Sequence, residues 1–295
     1  MMKKLSPAPK VLLIFCIFLQ AYCLHPQNTA SPFAAGVETG NLQDDGITEA
    51  SGLAASHIRN NYYWTHNDSG DSARLFLIGK DGSSKGIVHF QQPVLDCEDI
   101  ATGIGAAKGK YVYLGDIGDN FHFRPFINLY IFKEDSLLYT IEKKQNFIQH
   151  YTKVTLKYDD GPKDAEALMI DPVDSLLYIV SKREKNVGIY TASLKELFTQ
   201  STVVLKKMGT TAHTRITAGD ISADGSEVII RNYDNLFYWK RQKGEPVYET
   251  LQRPAIQLDY TKEKQGEAVC FAADHSGILT TSEGKHAAVY FYKRK

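Results

Sequence analysis

The 295-residue sequence predicts an all-β fold, a β-propeller of five blades closed by an N-terminal strand. Three observations lead there. The first is a recurring phrase: one or two acids or polar residues, small residues, then an apolar strand start. It occurs as Glu49-Ala50-Ser51-Gly52-Leu53, Asp96-Cys97-Glu98-Asp99-Ile100, Asp164-Ala165-Glu166-Ala167-Leu168, Thr217-Ala218-Gly219-Asp220-Ile221 and Gln265-Gly266-Glu267-Ala268-Val269. The second is its spacing. With Ser51, Glu98, Glu166, Gly219 and Glu267 taken as equivalent, the steps are 47, 68, 53 and 48 residues. Arrays of short strands repeat at about 40–50 residues in propellers. The third is composition. Seventeen Tyr and fourteen Phe against two Trp favour strands, and the aromatic and β-branched runs are separated by Gly, Asn and Asp turns.

Taken in order, the chain begins with a targeting segment. Lys3, Lys4 and Lys10 precede an apolar run, Val11 to Ala21, of eleven residues. That length is short for a bilayer span and suits a signal peptide, 1–23, cleaved before Leu24. Leu19-Gln20-Ala21-Tyr22-Cys23 also permits a competing reading, a lipid anchor on Cys23. Residues 24–32 read as a flexible leader, and 33–295 as one propeller domain.

Phe33 to Gln43 reads as a lone strand. Each following unit then supplies strands A to D. The first runs Gly52 to Ser56, Tyr62 to Thr65, Arg74 to Ile78 and Gly86 to Phe90. The second contains the long step, with a short helix or an extended connection between Asp135 and His150. The fifth ends without a fourth strand. A ring of sheets leaves two unpaired edges unless it is closed, and Phe33 to Gln43 is placed to close it. Six blades, with one hidden in 135–160, is the alternative architecture; a β-sandwich fits the period less well.

The bulk numbers narrow the function. Formal net charge is zero, and loss of Lys3, Lys4 and Lys10 with the leader takes it to −3. No basic field draws nucleic acid. No later apolar run has membrane length. Export makes the location secreted or periplasmic. Of the four cysteines, Cys97 and Cys270 remain after processing, in non-adjacent units, and are expected as buried free thiols rather than a disulfide.

Propeller geometry would gather the strand-A starts and the B-to-C loops at one mouth of the central channel. Glu98, Glu166 and Glu267 then share one ring position, with Asp220 beside them. Converging carboxylates must be solvated, share protons, pair with cations or bind a metal. Oxygen donors suit Ca²⁺ or Mg²⁺ rather than zinc. The alternative for the same acids is structural: they accept N–H groups of the neighbouring blade. Arg183 and Arg231, with His66, Asn67 and Asn232, are the candidates to hold a ligand at that mouth. The loops Asp68-Ser69-Gly70-Asp71 and Asp116-Ile117-Gly118-Asp119-Asn120 resemble each other, and turn chemistry accounts for both. No nucleophile motif is present.

The segments WTHNDSGDSARLF, DCEDIATG, YLGDIGDN, DAEALMIDP, TAGDISADG and QGEAV…TSEG together resemble a large family of exported bacterial propellers. The resemblance spans about residues 45 to 292. More distantly the chain is similar to lactonase, calcium-dependent phosphoesterase and NHL-type propellers, which hold a metal at the channel mouth with acids and Asn. That resemblance implies a metal at Glu98, Glu166 and Glu267, matched through the internal repeat. Two functions follow as expectations: a Ca²⁺- or Mg²⁺-dependent hydrolase-like enzyme, or a non-catalytic module for a surface glycan, peptide or protein.

Overall fold

Every recurring phrase becomes an inner strand carrying one residue too many. In the computed structural model, residues 30–105 and 109–295 are described, and the chain from Ser31 onward is an all-β unit with short helices. The expected signal peptide, the leader up to residue 29 and Cys23 lie outside the described residues.

The strands come in sets. The N-terminal strand is β1 (Val37–Asn41). The first set is β2 (Ala50–Ala55), β3 (Tyr62–Asn67), β4 (Arg74–Gly79) and β5 (Ser84–Phe90). The second is β6 (Cys97–Ile104), β7 (Lys110–Asp116) and β8 (Ile127–Lys133), then α1 (Glu134–Glu142), β9 (Phe147–Ile148) and β10 (Thr152–Tyr158). The third is β11 (Ala165–Asp171), β12 (Leu176–Ser181) and β13 (Val187–Ser193), then α2 (Leu194–Thr199) and β14 (Thr202–Thr211). The fourth is β15 (Ile216–Ile221), β16 (Glu227–Asn232), β17 (Leu236–Lys240), α3 (Val247–Thr250) and β18 (Ile256–Gln257). The fifth is β19 (Gly266–Phe271), β20 (Gly277–Ser282) and β21 (Ala288–Lys293).

Within each set, neighbouring strands pair antiparallel, and in the second β8 pairs with β10. Two parallel pairings join sets. β9 lies on β5, and β10 lies on β14, which merges the second and third sets into one eight-stranded sheet. The ends of that sheet, β6 and β11, stand side by side, so it comes near to closing on itself. The inner strands β2, β6, β11, β15 and β19 are each neighbour to the next, and β19 returns to β2.

The N-terminal strand pairs antiparallel with β21, completing the fifth set. The 68-residue step is filled by α1, β9 and β10, which attach to the existing sheets and form no sheet of their own.

Apolar packing explains why most inner and middle strands are buried throughout. Side chains on a strand alternate between its two faces, and each set is covered on both. Trp64 and Leu75 of the first set pack with Val112 and Phe132 of the second. Tyr63 and Leu53 point the other way, onto Cys270 and Leu279 of the fifth. Further clusters fill the contacts of second with third, third with fourth and fourth with fifth. Cys97 and Cys270 are buried free thiols in separate clusters.

Candidate functional site

The extra residue of each inner strand is a β-bulge at the same register. The pairing slips between Ala50 and Gly52, Cys97 and Asp99, Ala165 and Ala167, Ile216 and Ala218, and Gly266 and Ala268. The bulged residues are therefore Ser51, Glu98, Glu166, Thr217 and Glu267. Thr217, not Gly219, is the fourth member of the ring, and the steps become 47, 68, 51 and 50 residues. A bulge re-aims its side chain, so Glu98, Glu166 and Glu267 turn to one end of the inner strands while the residues on either side stay in the packing.

At that end the polar groups form a circuit. Lys182 pairs with Glu166 and donates to Tyr233 Oη at 3.0 Å. Tyr233 donates to Glu267 Oε1 at 2.8 Å. Glu267 shares a hydrogen bond with Glu283, which also accepts Gln265 Nε2 at 2.7 Å. Asp68 lies within the field of Glu267 and Asp96. Asp96 and Glu98 bring the circuit back to Glu166. Oxygens of Asp68, Asp96 and Glu98 lie within 4.8 Å of one another, as do those of Glu98, Asp164 and Glu166.

Burial and mutual repulsion dominate the ionisation. Burial pushes the Glu98 carboxyl well above the usual range, and Glu166, Asp68 and Asp96 push it further. Burial raises Glu166 to about 8 against the opposing pull of Lys182. Burial raises Asp68 to about 6, with Asp96 and Glu267 adding to it. Burial, and the Glu267 carboxylate that accepts its proton, bring Glu283 to about 8. Among the described residues no hydrogen-bond donor reaches the side chain of Glu98, which is 3% exposed. Its main-chain oxygen accepts Ser51 Oγ at 2.8 Å. Gly118 passes directly over this pair of acids, where a Cβ would collide with Glu98 Oε1 and Asp96 Oδ2.

Asp220 stands apart from this circuit. Its carboxylate accepts Ile221 N–H and Phe271 N–H, each at 2.8 Å, and so ties β15 to β19. Asp99 does the same from β6, accepting Ile100 N–H and Leu168 N–H at 2.8 Å and Gly219 N–H at 3.4 Å. The stitching role foreseen for the ring glutamates thus falls to two aspartates.

The predicted ligand-holding residues are mostly engaged in structure. Arg231 is fully buried against Glu263, Tyr260 and the Ala268 carbonyl. Asn67 uses its amide on Thr48, Glu49, Gly46 and Asp71. Asn232 caps Asp234 and Asn235 and donates to Thr214 O. His66 Nδ1–H donates to Asn67 O at 2.8 Å, and among the described residues its buried Nε2 has no partner; burial lowers its pKa to about 4. Asn232 is half-buried, and Arg183 is exposed, with its side chain 44% open while pairing with Asp164 and Asn120.

One feature of this end lay outside the sequence reading. Phe121 and Phe123 are 77% and 79% exposed and stack with ring centroids 5.8 Å apart. Their loop is held rigidly: Asp119 accepts the N–H groups of Phe123 and Arg124, and Arg124 pairs with Asp116. A cleft lined by Tyr139, Phe147 and His150 lies elsewhere, between α1 and β9, and none of the acids lines it. No helix among the described residues is long and apolar enough to cross a membrane. No protein-family model matches the chain, and no curated protein matches it.

Proposed function

We propose that the chain is an exported five-bladed β-propeller, of the bacterial family its motifs resemble, whose acidic mouth binds a hard divalent cation for hydrolase-like chemistry. Support for five blades comes from the five inner strands that neighbour one another in a ring, each starting at an equivalent bulge. Export rests on the N-terminal sequence pattern.

One observation carries the cation. Among the described residues, the Glu98 side chain, 3% exposed and beside Asp68, Asp96 and Glu166, accepts no hydrogen bond. A buried carboxylate in that state is costly unless a cation or a proton joins it. The donor set is oxygen only, which fits Ca²⁺ or Mg²⁺. When bound, such an ion polarises an ester, lactone or phosphoester oxygen and acidifies a water. The protein's own groups supply the rest. Glu283, raised to about 8, keeps a proton beside the acids. Tyr233 and Lys182 fix the far side of the mouth. Arg183 is the solvent-facing cation that would orient an anionic substrate group.

A second reading, a non-catalytic binding module, is favoured by Phe121 and Phe123. Exposed aromatics on a rigid loop mark recognition surfaces, here for a glycan, peptide or protein.

Elemental analysis of purified protein, with a screen of aryl esters, lactones and phosphodiesters in calcium and in chelator, tests the first reading. Bound calcium or magnesium and chelator-sensitive turnover that Glu98→Gln abolishes are expected. Metal binding without turnover would favour the binding module. No metal and no thermal response to either ion would end the cation-dependent reading.

A further inference from the structure

We infer that the cation of this mouth is held by Asp68, Asp96 and Glu98, and that Lys182 is a built-in counter-charge keeping it out of the adjoining Glu98–Asp164–Glu166 group. The inference rests on the proposed cation-binding function and says which carboxylates perform it.

The two groups share Glu98 and each gathers its oxygens within 4.8 Å of one another, but they differ in what already satisfies them. In the second group every other acid is supplied. Asp164 accepts Asp119 N–H at 3.0 Å on one oxygen and Arg183 on the other. Glu166 is paired with Lys182, whose side chain is 11% exposed and is fixed by Tyr233 at 3.0 Å. Tyr233 is fixed in turn by Glu267. An ammonium held this way takes the place a metal would need.

The first group, among the described residues, forms no ion pair. Among the described residues no donor reaches the carboxylates of Asp96 or Glu98, and Asp68 accepts only its own loop's Ser69 N–H. Arg124, whose charge acts on Asp96, is bonded to Asp116 and to the Gly118 carbonyl and reaches none of the three carboxylates with a hydrogen bond. Oxygens gathered within 4.8 Å of one another can share one ion of the size of calcium or magnesium. Gly118 leaves room beside both acids that a Cβ would fill.

Calorimetric titration of calcium chloride into the chelator-treated full chain tests this. Wild type should bind one ion. Asp96→Asn, Glu98→Gln and the more exposed Asp68→Asn should each weaken binding by about tenfold or more, a loss of about 1.4 kcal/mol or more. Asp135→Asn, at the exposed start of α1, should change it by less than about threefold. Lys182→Met should admit a second ion. Thermal melts in chelator establish that each variant is folded, and Asp68→Asn keeps the test open if a buried variant is not. Binding that survives all three first-group changes but fails in Glu267→Gln would overturn the assignment while leaving a cation-binding mouth in place. A Lys182→Met chain that still takes one ion would overturn the role given to the lysine. A wild type that binds neither calcium nor magnesium would overturn both this assignment and the function beneath it.

Discussion

The Asp99 carboxylate accepts the Leu168 N–H at 2.8 Å and so joins β6 to β11 where neither strand has a main-chain partner on that side. The inner strands pair only outward, into their own sets. Their inward edges would otherwise present unpaired N–H groups, which are expensive to bury. Asp99 and Asp220 meet that need with a carboxylate each. Asp99→Asn replaces an acceptor oxygen by a donor that faces further donors. It should cost about 2–4 kcal/mol, read as a lower urea midpoint with an unchanged slope. A loss below about 1 kcal/mol would mean that the carboxylate is not the tie.

Glu98→Gln should act in the opposite direction. The wild-type side chain is buried beside three other acids and, among the described residues, accepts no hydrogen bond. Neutralising it removes that repulsion, and an amide can donate to Asp96 or Asp68. The variant should gain about 1–2 kcal/mol in chelator and lose any stabilisation by calcium. Paired thermal melts with and without the ion measure both effects. A destabilised variant in chelator would place a hidden donor on Glu98.

These two residues also mark how far the sequence could be read. Acid followed by small residues recurs visibly, so the ring of glutamates and the five-fold period were legible. The bulge that separates Glu98 from Asp99 was not, because a one-residue register shift leaves no trace in residue types. Glu98 therefore turns to the mouth while its neighbour turns to the strands behind. In the fourth set the bulged residue is Thr217, and the nearby Asp220 drew the alignment two residues off. Arg231 read as a surface cation because it ends a strand, yet Glu263, far along the chain, closes over it. Long-range burial of that kind has no local signature.

Stability should depend on pH through the Glu267–Glu283 pair. Burial and the Glu267 hydrogen bond raise Glu283 to about 8, far above its ordinary 4.5. The folded chain therefore holds a proton that the unfolded chain releases between those values. The stability from this group is fully present below about pH 4.5 and is lost as pH rises towards 8. Glu283→Gln should flatten the urea midpoint across that window, with Asp68 and Glu166 supplying what slope is left. A wild-type midpoint that rises steadily from pH 5 to 8 would contradict the proton on Glu283.

Arg231 and Glu263 should behave as one unit. Both side chains are almost wholly buried and pair at 2.9 Å. Arg231→Met leaves Glu263 charged and unpaired, at a cost of about 3–5 kcal/mol. Adding Glu263→Gln should recover much of the loss, because the uncompensated charge goes with it. A double-mutant cycle by urea denaturation gives the coupling directly. Additive losses would show that packing around the guanidinium stem, rather than the charge pair, sets the cost.

The N-terminal strand should prove to be both a lid on the core and a guard on an edge. Phe33 is fully buried, edge-on to Tyr238 at 5.5 Å, and its loss alone should cost about 3–5 kcal/mol. β1 covers β21, and Thr39 Oγ1 bonds both Lys80 O at 2.7 Å and Val289 O at 3.1 Å, linking the first and fifth sets. A chain beginning at Asp45 lacks all of this. It exposes the β21 edge, whose unpaired N–H and C=O groups can recruit another strand. Light scattering after gel filtration should therefore find it self-associated, while Phe33→Ala in the full chain is destabilised yet keeps the wild-type mass. If the truncated chain keeps that mass too, the strand contributes packing alone, and β21 is guarded by something other than its partner.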